Sequence, residues 1–203
     1  MKPFVVCEGT AAPILQSNID TDMIIRIERI AQLSRGELGH WAFETWRYTD
    51  NGEHNPDFIL NREPFTRACI LIAGANFGCG SSREMAVWAL EEFGVRCVIA
   101  PSFGDIFFSN CIQNGVLPVI LSEVQVQQLA RQAQSGIAVR VDFQAMLVSC
   151  DQLPDMCFTL AEGARQSLLQ GRDEIGQTLM YGQNIGDFQA RDRQLRPWVY
   201  GLE

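Results

Sequence analysis

One pattern constrains this 203-residue chain more than any other: a strand signal followed by a helix signal, three times in succession, between Ala68 and Gln134. Cys69-Ile70-Leu71-Ile72-Ala73, Val95-Arg96-Cys97-Val98-Ile99-Ala100 and residues 116–121 are short apolar runs of the kind that form strands buried on both faces. After the first run, residues 82–93 carry Met85, Trp88, Ala89 and Phe93 at helical spacing. After the second, Pro101-Ser102 opens a helix, with Asp105 three residues beyond Ser102 in a near capping box. After the third, Ser122 caps a polar-faced helix running to Gln134. Gly94, Gly115 and Gly136 stand where helix C-terminal glycines belong. This order predicts an α/β layer with parallel strand pairing and right-handed crossovers.

The flanks are less regular. Residues 1–65 hold a short strand signal at 4–7, a turn at Asn18-Ile19-Asp20-Thr21-Asp22, and a mixed helical pattern over 28–46. A long loop follows, marked by Asp50-Asn51-Gly52, Asn55-Pro56 and Glu63-Pro64. Beyond Gly136, alternation over 139–143 predicts a strand, with more at 146–148 and 157–160 and a short helix over 162–169. Residues 181–203 have weak periodicity and receive no element. The organisation expected is one domain over 1–203: an irregular N-terminal part (1–65), an α/β core (66–180) and a tail (181–203). Trp41, Phe43 and Trp46 fall near one helical face and read as core or subunit interface.

Composition narrows the class. Hydrophobic residues at 47% and charged residues at 20% are ordinary for a globular protein. Sixteen Lys and Arg against 24 Asp and Glu leave a net charge of −8, which argues against nucleic acid or an anionic membrane surface as partner. No apolar run approaches the roughly 18 residues of a membrane helix. Met1-Lys2-Pro3-Phe4-Val5-Val6-Cys7-Glu8 does not read as a secretory signal, so a soluble cytoplasmic protein is expected. The seven cysteines include no C-x-x-C pair, so neither a zinc ribbon nor a cysteine-run iron–sulfur site is written here. They read as small buried hydrophobes in a reducing compartment, with Cys79 set apart by its glycine loop.

That loop is Gly74-Ala75-Asn76-Phe77-Gly78-Cys79-Gly80-Ser81-Ser82-Arg83-Glu84, between a buried strand and a helix start, where open α/β sheets hold their ligands. Glycines let backbone approach a ligand, first-turn N–H groups favour an anion, two hydroxyls add donors, and Arg83 adds a planar fork for carboxylate or phosphate. The competing structural account has a serine merely capping the helix and the glycines merely turning the chain. No Gly-Lys-Ser/Thr ending, third Rossmann glycine or G-x-S-x-G elbow is present. The only histidines, His40 and His54, lie in the irregular part, so a serine here would be activated by backbone donors, Arg83 or a ligand metal. Asp20 and Asp22 alone make an incomplete metal site.

Residues 76–84, together with Asn18-Ile19-Asp20-Thr21-Asp22, Ala100-Pro101-Ser102-Phe103-Gly104-Asp105-Ile106-Phe107, Asn114-Gly115-Val116-Leu117-Pro118-Val119 and Asp173-Glu174-Ile175-Gly176-Gln177-Thr178-Leu179, resemble the small-subunit family of 3-isopropylmalate dehydratases, the swivelling-domain part of the aconitase superfamily. The resemblance implies a swivelling β/β/α domain with a largely parallel sheet core flanked by helices. It further implies a separate large subunit holding a four-iron four-sulfur cluster, no metal or cofactor on this chain, and a small dicarboxylic acid as substrate. Ser81 would be the base that removes a carbon-bound proton. Ser82 and Arg83 would bind substrate carboxylate, with Asn76, Asp22 and Arg26 as further substrate-binding candidates. Dehydration and rehydration would then interconvert 2-isopropylmalate and 3-isopropylmalate, as leucine biosynthesis requires.

The chain also departs from the family pattern. Met85 stands where His is common and Val87 where Pro is common. After Asp22, Met23-Ile24-Ile25-Arg26-Ile27-Glu28-Arg29-Ile30 replaces a proline and an aromatic-leucine pair in the loop that sorts the substrate's side group. Arg26 or Arg29 could serve an extra carboxylate or could simply face solvent. The same chemistry on citraconate, dimethylmaleate or a homoaconitate-type diacid therefore stays open, as does a non-enzymatic anion-binding regulatory module.

Overall fold

The computed structural model describes residues 1–201; the last two residues of the 181–203 tail lie outside the described residues. The three apolar runs form β3 (Ile70–Ala73), β4 (Cys97–Ala100) and β5 (Leu117–Ile120), and a strand the sequence did not announce, β2 (Ala11–Ile14), completes a parallel sheet in the order β2-β3-β4-β5. Its edges are β2 and β5, and each carries a proline, Pro13 and Pro118, which an edge tolerates because one side needs no ladder N–H. A second, antiparallel sheet joins β1 (Val6–Gly9), β6 (Val139–Asp142), β7 (Leu147–Cys150) and β8 (Met156–Cys157) in the order β1-β6-β7-β8.

Side-chain alternation along the parallel strands divides the core in two. Leu71, Ala73, Val98 and Ala100 face one hydrophobic cluster, built with α4 (Glu84–Phe93) and α5 (Asp105–Asn114). Ile70, Ile72, Cys97 and Ile99 face the other, built with α6 (Glu123–Gln134), the antiparallel sheet and Leu168 of α7 (Glu162–Gln170). Burial on both faces explains why these strands read as unbroken apolar runs. At ~25 cal/mol per Å² of apolar area removed from water, such burial is the main stabilising contribution.

The N-terminal part packs onto the first cluster as short pieces: α1 (Thr21–Ile24), α2 (Ile27–Gln32), a 3₁₀ turn at Gly39–Trp41 and α3 (Glu44–Arg47). The mixed helical pattern expected over 28–46 resolves into these separate pieces, interrupted by Gly36 at φ +102° and Phe43 at φ +56°. Phe43 is fully buried and stacks on Trp46 with ring centroids 5.9 Å apart, so the aromatic trio belongs to the core side. Ser122 forms the full capping box with Gln125. Ser102 does not cap α5, which starts at Asp105 with Gly104 before it; the Ser102 hydroxyl instead accepts the Asn76 backbone N–H at 2.8 Å.

The chain divides into two compact units, Met1–Gly171 and Arg172–Glu203. The second holds α8 (Glu174–Leu179), capped by Asp173, then α9 (Gly182–Leu195) and a 3₁₀ turn at Pro197–Tyr200. Its exposed apolar residues include Ile175, Leu179, Phe188, Leu195 and Trp198, and Asp192, bonded to Arg196 and Tyr200, is its buried residue among those described. Both hydrophobic clusters lie within the first unit. A chain ending at Gly171 is therefore expected to melt cooperatively within about 4 °C of the full chain, as followed by circular dichroism. A larger drop would mean that the tail carries stability its own burial does not account for. No helix among the described residues is long and apolar enough to cross a membrane.

Candidate active site

Two turns grip the glycine loop by backbone bonds. On one side Gly78 N–H donates to the Ile19 carbonyl at 2.7 Å, Thr21 N–H to the Cys79 carbonyl at 3.1 Å and Asn18 N–H to the Ala75 carbonyl at 2.9 Å. On the other, Phe77 N–H donates to the Ser102 carbonyl at 3.1 Å and Gly104 N–H to the Phe77 carbonyl at 2.9 Å. These bonds satisfy backbone groups that a buried loop must otherwise leave unpaired. Three segments that the sequence singled out separately, 18–22, 76–84 and 100–107, are thus tied together by backbone bonds.

Side chains complete the grip. Asn76 and Asn18 both adopt left-handed backbone, at φ +58° and +57°, which asparagine tolerates better than other non-glycine residues, and Asn76 Nδ2 donates to Asn18 Oδ1 at 2.8 Å. Thr21, almost fully buried, donates from Oγ1 to the Ser81 carbonyl at 3.0 Å. Gly78, at φ +72°, lies against the Phe107 ring, so its missing side chain serves contact with the chain's own core rather than with a ligand.

Ser81 and Ser82 are exposed, and neither caps α4, whose N-cap position is Arg83 without any side-chain capping bond. The simple capping account of the serines therefore gives way. Arg83 forms an ion pair through Nη1 with the Asp22 carboxylate; its side chain is 14% exposed and that of Asp22 52%. Arg26 is exposed and pairs with Glu28 at 3.3 Å. It borders, with Asp22, Met23, Ile27 and Thr45, a cavity of about 280 Å³. Arg29 is committed elsewhere: it bonds Glu44 through Nε at 3.0 Å and Nη2 at 2.5 Å and lies 3.4 Å over the Trp41 ring. That carboxylate holds the Arg29 guanidinium pKa above its ordinary value.

The histidines bond away from the loop, His40 with the Tyr48 hydroxyl and His54 Nδ1 with Asn61 Oδ1 at 3.1 Å. Asp20 caps α1 by accepting the Met23 N–H at 2.8 Å, so it and Asp22 have separate tasks. Among the described residues no group of three or more His, Cys, Asp or Glu side chains stands together as metal ligands. The cysteines are free; Cys7, Cys97, Cys111 and Cys150 are buried as expected, Cys69 and Cys79 are half-buried, and Cys157 is exposed, on the short last strand β8. Burial pushes the Cys97 and Cys111 thiols up, whereas the hydrogen bond with Cys7 lowers Cys69 to about 7.

The aconitase C-terminal domain family matches residues 1–124. Curated relatives named 3-isopropylmalate dehydratase small subunit align along nearly the whole chain. The one from Rhodospirillum centenum is 44% identical over 99% of this chain and 100% of its own. The one from Cupriavidus necator is 46% identical over 98% and 99%, and that from Shewanella denitrificans 47% over 94% and 96%. A crystal structure of 3-isopropylmalate dehydratase from Methanocaldococcus jannaschii shares the fold, with a TM-score of 0.66 at 23% identity over 92% of this chain and 99% of that one. By a family match over more than half its length and curated relatives above 40% identity across nearly all of it, this chain belongs to the 3-isopropylmalate dehydratase small-subunit family, within the aconitase C-terminal domain family.

Proposed function

We propose that this chain is the small subunit of a two-subunit hydro-lyase that interconverts 2-isopropylmalate and 3-isopropylmalate by dehydration and rehydration, in the cytoplasm and in the service of leucine biosynthesis. The observation that carries this is the exposed Ser81-Ser82 pair at the uncapped start of α4, next to Arg83 and locked through Thr21 and through the Gly78–Ile19 bond to the Asn18–Asp22 turn. Neither nucleic acid nor membrane takes part.

In this proposal Ser81 Oγ takes the carbon-bound proton. The electron pair left behind forms the double bond as the hydroxyl on the neighbouring carbon departs as hydroxide, which takes a proton from solvent to become water; readdition in the opposite orientation moves the hydroxyl, and the proton on Ser81 returns to carbon. A serine hydroxyl ionises far above neutral pH, so its base form needs a positive field. The open N–H groups at the start of α4 and the nearby guanidinium supply it. Ser82 and Arg83 hold a substrate carboxylate. Arg83 has five N–H donors and Asp22 engages it through Nη1, which leaves the rest of the fork for the substrate. Asn76, bonded to Asn18, holds the start of the loop.

A four-iron four-sulfur cluster on the large subunit would supply Lewis-acid binding of the departing hydroxyl. The cysteines of this chain do not fit such a group, since among the described residues no three potential ligands come together. What this chain contributes is the proton acceptor and the carboxylate contacts of the serine–arginine loop.

The cavity beside Asp22 favours an apolar side group. Met23 and Ile27 line it, and the charge of Arg26 is answered by Glu28. An isopropyl group suits that lining better than a further carboxylate, which would have to displace Glu28. Assembly with the large subunit under anaerobic conditions, followed by the absorbance of the unsaturated acid, is expected to give turnover with isopropylmaleate, slower turnover with citraconate and dimethylmaleate, and none with a homoaconitate-type substrate, which carries the further carboxylate. Turnover of another diacid alone would overturn the substrate assignment. No turnover with any large subunit would leave an anion-binding module.

A further inference from the structure

Asn114, the last residue of α5, is 5% exposed, and its amide makes three hydrogen bonds: Oδ1 accepts from Trp88 Nε1 at 2.8 Å, while Nδ2 donates to Glu84 Oε1 at 2.8 Å and to the Asn110 carbonyl at 2.9 Å. The helix end does not need this side chain, because Gly115 at φ +79° closes α5 through backbone bonds to Cys111 and Ile112. A buried amide is costly unless satisfied, and where it is fully satisfied it specifies one arrangement among several. Glu84 and Trp88 lie four residues apart on α4 and so share one face. The donor and the acceptor of a single amide therefore clamp two successive turns of α4 against α5. The first of those turns begins immediately after Arg83.

Glu84 is also the one carboxylate adjacent in sequence to the serine–arginine loop, and by chemistry alone it is a second candidate base. Its Oε1 is taken by Asn114, in the seam between the helices. We propose that Glu84 is a positioning residue: together with Asn114 and Trp88 it fixes the first turn of α4, and with it the direction in which the Arg83 guanidinium meets Asp22 and a substrate carboxylate. This rests on the carboxylate-binding role proposed above for Arg83.

The test compares Glu84→Gln, which keeps an acceptor oxygen for Asn114 but no charge, with Glu84→Ala and Asn114→Leu, all in the assembled two-subunit enzyme and on whichever diacid the native assembly turns over. A positioning role predicts Glu84→Gln within about threefold of native in both constants. Glu84→Ala and Asn114→Leu should each raise KM about tenfold while kcat falls less than about threefold. A Glu84→Gln variant as damaged in kcat as Glu84→Ala would overturn the proposal in favour of a direct proton-transfer role, and native KM in the two disruptive variants would overturn it in favour of a purely structural one. If the disruptive variants fail to assemble, Glu84→Gln decides: near-native constants support positioning, and a fall of about a hundredfold in kcat overturns it. A native assembly that turns over no diacid overturns the proposed function and this role together, whereas a working native assembly with the opposite variant pattern overturns only the role of Glu84.

Discussion

Ser81→Ala is expected to lower kcat of the assembled enzyme by about 10²–10⁴-fold, the range that loss of a general base costs, while the melting temperature and association with the large subunit stay at native values. Ser81 is exposed, and what ties it to the fold is its carbonyl, which accepts the Thr21 hydroxyl at 3.0 Å and survives the substitution. Little packing is lost, because the residue is exposed. KM should stay within a few-fold of native, since the carboxylate contacts assigned to Ser82 and Arg83 are untouched. Steady-state kinetics on the assembled enzyme and thermal denaturation of the isolated chain read the two halves of the prediction separately. Near-native turnover would remove Ser81 as the base and return the question to its neighbours. A fall in turnover accompanied by a fall in melting temperature would make the hydroxyl structural.

Which parts of the molecule could be read from residues alone follows from how local their causes are. β3, β4 and β5 are buried on both faces, so every position is apolar and the signal lies within the strand itself. β6 alternates because one face meets the second cluster and the other solvent, as Val139-Arg140-Val141 records. β2 has no clear local signal because Ala11, Ala12 and Pro13 disfavour a strand and Ile14 stands alone; its place is assigned by pairing with Ile70–Ala73, nearly sixty residues away. The α4 boundary moved from Ser82 to Glu84 for a related reason. A serine before an apolar-periodic run is a good capping signal, but Thr21 holds the Ser81 carbonyl in the loop and the helix starts later. Ser102 stands at a capping position in sequence but caps nothing, because its hydroxyl accepts the Asn76 N–H of another loop. The site was legible as a run of residues, from Asn76 to Glu84, and illegible as a set of contacts. Thr21, Phe107 and Asn114 act on it from distant parts of the chain. The pairing of Asp22 with Arg83 had no local signal, although both residues stood out on their own.

Gly78→Ala is expected to destabilise the chain by about 3 kcal/mol or more, combining roughly 1–3 kcal/mol of overpacking with about 1–2 kcal/mol for a left-handed backbone that alanine resists. A β-carbon at this position would stand 2.6 Å from Phe107 Cδ2 and nearer still to Cγ and Cδ1 of the same ring, well inside contact distance. The ring has little room to retreat: it is 2% exposed and packs edge-on against Phe77 with centroids 5.4 Å apart. The backbone cannot yield cheaply either, because the Gly78 N–H is bonded to Ile19 at 2.7 Å and the Gly78 carbonyl lies against Gly104. A loss of that size in a chain of this length lowers the melting temperature by about 10 °C, which calorimetry measures directly. Whatever fraction still folds must have moved the loop that carries Ser81 and Arg83, so turnover per folded molecule should fall as well. Phe107→Leu in the Gly78→Ala background separates the two causes. The smaller side chain relieves the clash but not the backbone strain, so the double variant should recover part of the lost stability and the larger share of the turnover. If Gly78→Ala alone melts at the native temperature, the close approach of Gly78 to Phe107 is not what holds the loop to α5.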